Sequence, residues 1–285
     1  MLASASIMAA PEAHPTDVQF KSLPYCPPEV EHRYGPRVHI LADPLALTML
    51  ARVCEKGVAQ PEVNRLIGEL YRALVHDAVA AEFPRRAIAV PTRMIDHTPR
   101  GVWRGQAIAA ETPAVVVAVA RAGLLPSQVC YDFLNHVLRP EGVRQDHLSL
   151  GRQVDAEGRV TGAALGSAKI GGPVDGAVIL IPDPMGATGS TVSKVLAHYQ
   201  EEVHGTAAKI IALHLIVTPE YLRHVHRHHP EVIVYALRLD RGLSAPDVLA
   251  TVPGERWDEE RGLNDHHYIV PGGGGLGEVM NNSYV

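Results

Sequence analysis

The apolar positions of this chain gather into a few unbroken runs, separated by stretches with helical spacing. Ala114–Ala120 (A-V-V-V-A-V-A), Ala177–Ile181, Lys209–Val217 and Val232–Leu237 show little polar alternation, the pattern of strands buried on both faces. Asp43-Pro44 predicts a helix capped by the aspartate, with Leu47, Leu50 and Cys54 on one face and Gly57 as its stop. Pro61 opens a second, carrying Val63, Leu66, Ile67, Leu70 and Leu74, and both would flank the sheet or join a subunit interface. Further helices follow from Pro126 to Leu138, from Val192 to Tyr199, and after the cap Thr218-Pro219. Strands alternating with helices imply an α/β fold, a mostly parallel sheet flanked by helices, with ligands at the carboxyl ends of the strands.

Weaker patterns fill the gaps. Ala87–Val90 reads as a short strand and the segment on to Thr112 as irregular. His147–Ile170 turns polar and glycine-rich, the composition of a flap hairpin. Residues 1–36 carry Pro11, Pro15, Pro24, Pro27, Pro28 and Pro36 without periodicity, an extended arm preceding one domain over 37–285.

Composition narrows the class. A net charge of −5 without a basic run leaves no nucleic-acid footprint, and no apolar run spans a membrane. Cys26, Cys54 and Cys130 are odd in number and widely spaced, so they read as reduced thiols of a cytoplasmic protein.

The chemistry concentrates after two buried strands. Asp183 follows the Ala177–Ile181 run, and Gly186-Ala187-Thr188-Gly189-Ser190-Thr191 leads into a helix. Loop N–H groups and a helix N-terminus attract a phosphate, while the acid accepts hydrogen bonds from sugar hydroxyls. The loop has neither a Walker ending nor a dinucleotide fingerprint, and the plain alternative is an ordinary strand–helix turn. Arg121 ends the Ala114–Ala120 run, where a charge needs either an ion-pair partner or an anionic ligand. Arg152 stands in the flap. The run Arg223-His224-Val225-His226-Arg227-His228-His229 suggests a metal site but fits a cationic helix C-terminus better. Asp240-Arg241-Gly242-Leu243-Ser244 is echoed by Glu260-Arg261-Gly262-Leu263-Asn264, followed by a strand-like Tyr268-Ile269-Val270-Pro271 and the run Gly272–Gly275. Those glycines would serve as a flexible tail or bring bare backbone against a flat ligand.

Taken together, these residues resemble the uracil phosphoribosyltransferase family. Asp183-Pro184-Met185-Gly186-Ala187-Thr188-Gly189-Ser190-Thr191 is similar to the family's donor loop D-P-M-L-A-T-G-G-S/T. Ala120–Leu124 matches L-R-A-G-L, and Leu263–Gly272 matches the base-binding L-N-E-H-G-Y-I-I/V-P-G. His229-Pro230-Glu231-Val232 and Asp43-Pro44-Leu45 extend the likeness, which runs in order from about Val38 to Gly277.

The resemblance implies the type I phosphoribosyltransferase fold, with a flap hairpin and a C-terminal hood. It implies a pentosyltransferase that joins uracil to phosphoribosyl pyrophosphate, giving UMP and pyrophosphate in pyrimidine salvage. Arg121, Arg152 and Asp183–Thr191 would hold the donor, with Asp183 catalytic; Tyr268, Ile269, Gly274, Gly275 and Leu276 would line the base pocket. It further implies Mg²⁺ carried by the donor rather than by direct protein ligands, a homodimer or larger assembly, and GTP as an effector. Three departures stand out. The family's acid in G-L-G-D falls on Gly275, and Glu278 replaces it only if the loop shifts. About twenty residues, near 244–262, separate the two R-G-L echoes close to the base site. Gly186, Ser190 and the long arm also differ. Another acceptor base, or a non-catalytic nucleotide sensor, are the alternatives these departures raise.

Overall fold

The computed structural model describes residues 24–154 and 160–283, the side chains of residues 152–164 excepted. Strands β1 (Val38–Ile40), β4 (Ala114–Ala120), β5 (Val143–Val154), β6 (Val160–Lys169), β7 (Val178–Pro182), β9 (Lys209–Val217) and β10 (Val232–Leu239) form the main sheet, in the order β1-β10-β9-β7-β4-β5-β6. The two-residue β8 (Met185–Gly186) adds to β9. All pairings are parallel except β5 with β6.

Helices cover both faces, because the side chains of a strand alternate between them. Helices α1 (Pro44–Cys54), α2 (Glu62–Glu82) and α3 (Leu124–Val137) pack on Val116, Leu180, Ile211 and Leu213. Helices α4 (Ser190–Glu202) and α5 (Pro219–His228) pack on Val115, Val117, Ile179, Ile181 and Ala212. Asp43 caps α1 through its side chain, and Thr218 caps α5, as their positions before proline predict. Short helices α6 (Pro246–Leu249) and α7 (Leu276–Asn281) complete the chain.

Four local patterns resolve differently from expectation. The strand read at Ala87–Val90 is β2 (Arg85–Pro91), but the segment after it, read as irregular, holds its partner β3 (Val102–Ile108), and the two form an antiparallel ribbon apart from the main sheet. Arg104, Gly105 and Gln106 interrupt the middle of β3, so no apolar alternation marks it. The strand that carries the flap begins before its polar stretch and the free hairpin after it: Val143–Ser149 of β5 pair with all of β4, and only beyond them does β5 continue with β6 alone. The strand-like Tyr268–Pro271 is a turn with a single bridge, Leu263 to Ile269, because Asn264 takes the N–H groups of His266 and Tyr268. Finally, the segment from Pro24 to Pro36 is packed rather than free: Tyr34 is buried against Trp257, and Glu29 bridges to Leu41. Residues 1–23 lie outside the described residues.

Candidate functional site

Asp183 leaves β7 with its backbone N–H on the Leu213 carbonyl at 3.0 Å. Its Oδ1 accepts from the Met185 N–H at 3.3 Å, and burial pushes its carboxyl up to about 6 against that weak support. The loop then runs along β9: the Pro184 carbonyl accepts from Leu215 and Ile216, and the Gly186 and Ala187 carbonyls from the N–H and hydroxyl of Thr218. With its carbonyls engaged, the loop is a rigid frame. At Gly189 the chain turns into α4 with φ +85°, and a Cβ there would lie 2.6 Å from His224. Glycine is required on both counts. The N-cap Gly189 offers α4 no side-chain cap, and only Thr188 Oγ1 reaches its start, accepting the Ser190 N–H at 3.4 Å and bonding the Ser190 hydroxyl at 3.0 Å. Such an uncapped N-terminus with neighbouring hydroxyls binds a phosphate.

The loop after β4 meets this one at its root. A Cβ on Gly123 would lie 2.8 Å from the Val119 carbonyl and 2.9 Å from that of Pro182, so the two strand ends touch through bare backbone. Arg121, reached through a cis peptide from Ala120, is exposed and donates to Ser283 Oγ at 2.5 Å. The structure thus brings the Arg121 loop against the base of the Asp183 loop. Arg152 belongs to the flap, whose tip (155–159) and the Arg152 side chain lie outside what is described.

The glycine segment is set by a pair that motif reasoning missed. Arg238 and Asp240, at the end of β10, bond at 2.7 Å; Asp240 accepts the Gly272 N–H at 2.7 Å while Arg238 donates to the Gly272 carbonyl at 2.9 Å. Both backbone groups of Gly272 (φ +64°) are therefore clamped. Charges at the end of a buried strand were the available signal, the same one that singled out Arg121. Ile269 and Leu276 are buried and Tyr268 is half exposed. Gly277 lies against Ala122, with a would-be Cβ 3.3 Å from that side chain, so α7 sits on the Arg121 loop. The Glu278 carboxylate occupies the room beside Gly275: a Cβ at 275 would lie 2.0 Å from its Oε2.

The segment between the two R-G-L echoes packs on the start of α5, where Trp257 donates to the Pro219 carbonyl and Glu220 accepts the Gly262 N–H. Arg241 pairs with buried Glu260 at 2.8 Å and donates to the carbonyls of Val248, Leu249 and Thr251, while Glu260 also accepts from Tyr34 and Gly254. Only its ends touch the glycine segment, through Gly242 and Gly262 to Val270. The histidine run ends α5, where His224 and His229 both bond Ser193 Oγ at 2.8 Å; among the described residues no group of three or more potential metal ligands forms. A cavity of about 670 Å³ between α2, α3 and β3 includes Tyr25, His76 and Phe133, none of them a site residue. No helix among the described residues is long and apolar enough to cross a membrane.

A parallel sheet with an acid, a small-residue loop and a helix start at one strand end, and an arginine loop at the next, defines a type I phosphoribosyltransferase. The sequence model of the uracil phosphoribosyltransferase family matches residues 40–255, and the chain belongs to that family. Uracil phosphoribosyltransferases of Caldanaerobacter subterraneus subsp. tengcongensis and Acidovorax ebreus are 24% and 26% identical to it, each over 85% of this chain and 96% of the relative. The solved AQ2163 protein of Aquifex aeolicus shares the fold, with a TM-score of 0.65 at 20% identity over 87% of this chain and 99% of its own.

Proposed function

We propose that the protein transfers the phosphoribosyl group of phosphoribosyl pyrophosphate to uracil, forming UMP and pyrophosphate. The observation that carries this is the donor frame: Asp183, the uncapped start of α4 and the Arg121 loop, rooted on each other through Gly123. In the reaction the donor's C1–oxygen bond breaks, pyrophosphate departs with the bonding electrons, and a ring nitrogen of the base, losing its proton, bonds to C1. Asp183 would accept the ribose hydroxyls and stabilise positive charge developing on the sugar, while loop N–H groups hold the 5-phosphate. Arg121 and Arg152 would stabilise the departing pyrophosphate, and the flap would exclude water.

The residues fit a magnesium ion that arrives with the donor. The ion would be held by the donor's phosphate oxygens and water, as magnesium at phosphate substrates commonly is, and not by a protein carboxylate; among the described residues no group of three or more potential ligands forms a cage. When bound, it would neutralise charge on the pyrophosphate.

Gly275 with Glu278 favours a second reading, a different acceptor base. On that reading the Glu278 carboxylate, folded over Gly275, accepts an N–H of the base. Incubation with donor, Mg²⁺ and a panel of pyrimidine and purine bases decides between them. UMP formation from uracil supports the first and another nucleotide the second; donor binding without any turnover overturns both. Exposed Val90, Met94 and Trp103 on the β2–β3 ribbon support a homo-oligomer, tested by light scattering.

A further inference from the structure

Behind the donor loop two fully buried aromatic side chains, His214 of β9 and Tyr221 of α5, form a chain of hydrogen bonds that ends on Asp183. His214 Nδ1 lies 2.6 Å from the Asp183 backbone carbonyl. A carbonyl only accepts, so Nδ1 carries the proton. Burial lowers the imidazole to about 4, so the ring is neutral and Nε2 is bare. Nε2 lies 2.6 Å from the Tyr221 hydroxyl, which must therefore donate to it. One proton arrangement satisfies every group: Tyr221 O–H to Nε2, then Nδ1–H to the Asp183 carbonyl.

This pair also explains a residue of the loop itself. A Cβ on Gly186 would lie 3.2 Å from the Tyr221 ring and 3.3 Å from the His214 ring, as well as 2.9 Å from Val217. The two rings fill the side of the loop that a side chain at 186 would otherwise take, so the three residues form one unit. Tyr221 is anchored in turn, its N–H donating to Thr218 Oγ1, which donates to the Ala187 carbonyl.

We propose that His214 and Tyr221 are positioning residues, which fix the direction of the Asp183 carboxylate toward the donor by holding that residue's own backbone. The proposal rests on the donor-site reading above. Its rival is that the two rings merely fill space, and substitutions separate the two. Asparagine at 214 can still donate to the Asp183 carbonyl and accept from Tyr221, whereas leucine fills space without either bond.

The test measures binding of phosphoribosyl pyrophosphate with Mg²⁺ to the full chain by calorimetry, alongside thermal midpoints and the ¹⁵N shifts of His214. We expect His214→Leu to weaken donor binding about tenfold and His214→Asn by no more than about threefold, the scale of one buried hydrogen bond. Tyr221→Phe should weaken it comparably to leucine while His214 keeps the Nδ1–H tautomer that the Asp183 carbonyl imposes, its Nε2 shift alone moving as the hydroxyl donor is lost. In turnover assays the donor KM should rise while that of the base stays put. Equal donor affinity for the leucine and asparagine variants, when both remain folded, overturns the proposal. So does an Nε2–H tautomer in the wild type, a reading that needs no variant to fold. A wild type that binds no donor overturns the donor-site reading and this inference with it, which distinguishes the two failures.

Discussion

Asp183 is a carboxylate placed where its charge is poorly supported. One backbone N–H reaches it at 3.3 Å, and burial raises it to about 6. In the empty protein at pH 8 it is ionised at a cost; a bound ribose with its hydroxyl donors removes that cost. Asp183→Asn should therefore stabilise the ligand-free protein at pH 8 by about 1–3 kcal/mol while lowering turnover at least about a hundredfold. Chemical denaturation and a donor-turnover assay check the two halves; a destabilised variant would overturn the account. Gly189 is the other demanding position. Gly189→Ala meets both φ +85° and the His224 ring 2.6 Å away, and should cost about 1–3 kcal/mol with weaker donor binding, measured by melting and calorimetry.

Among the elements, the insertion between the R-G-L echoes is the least expected and the most self-contained. Arg241 holds three of its carbonyls and the carboxylate of Glu260, and Tyr34 and Trp257 join it to the N-terminal segment. Tyr34 of the N-terminal segment thus packs against this loop. Glu260→Gln leaves Arg241 buried without its counter-charge and should cost about 3 kcal/mol in urea denaturation while donor affinity changes less than about twofold. A large loss of donor binding would mean the insertion shapes the site after all. The flap has a comparable anchor at its base. Asp146, fully buried, pairs with Arg144 at 3.1 Å and accepts from Tyr199 of α4 at 2.6 Å and from the Gly171 N–H at 2.8 Å. That anchor ties the end of the return strand β6 to α4.

At the scale of the whole molecule, two buried groups oppose each other in acid. His214, lowered to about 4 from its ordinary 6.5, stays neutral in the fold while the unfolded chain takes a proton, so its contribution falls as pH drops from 6.5 toward 4. Asp183, raised to about 6 from 3.8, takes a proton in the fold first, so its contribution rises as pH drops through 6. The stabilising effect of Asp183→Asn should accordingly shrink from its value at pH 8 to near zero at about pH 4, followed by denaturation across that range. A constant difference would show that Asp183 titrates normally.

The buried parallel strands, their flanking helices, and the small-residue turn from β7 into α4 were legible along the chain, because each depends on local periodicity, capping or a short motif. Lys209–Val217 emerged with the bounds read from its apolar run, and Asp43 and Thr218 cap the helices their positions announced. What stayed hidden depends on residues far apart in sequence. Strand β3 is interrupted by Arg104, Gly105 and Gln106 and leaves no alternation to read, although its partner β2 was legible at Ala87–Val90. Arg238 and Asp240 clamp Gly272 across more than thirty residues, Glu278 folds over Gly275, and His214 and Tyr221 fill the room that Gly186 leaves. The sequence by itself determined a mostly parallel sheet with an acid and a small-residue loop leading from strand into helix, since strand, acid and helix start are neighbours in the chain. Only the tertiary structure decided how that loop is held, because backbone carbonyls and missing side chains acquire partners only when distant segments pack.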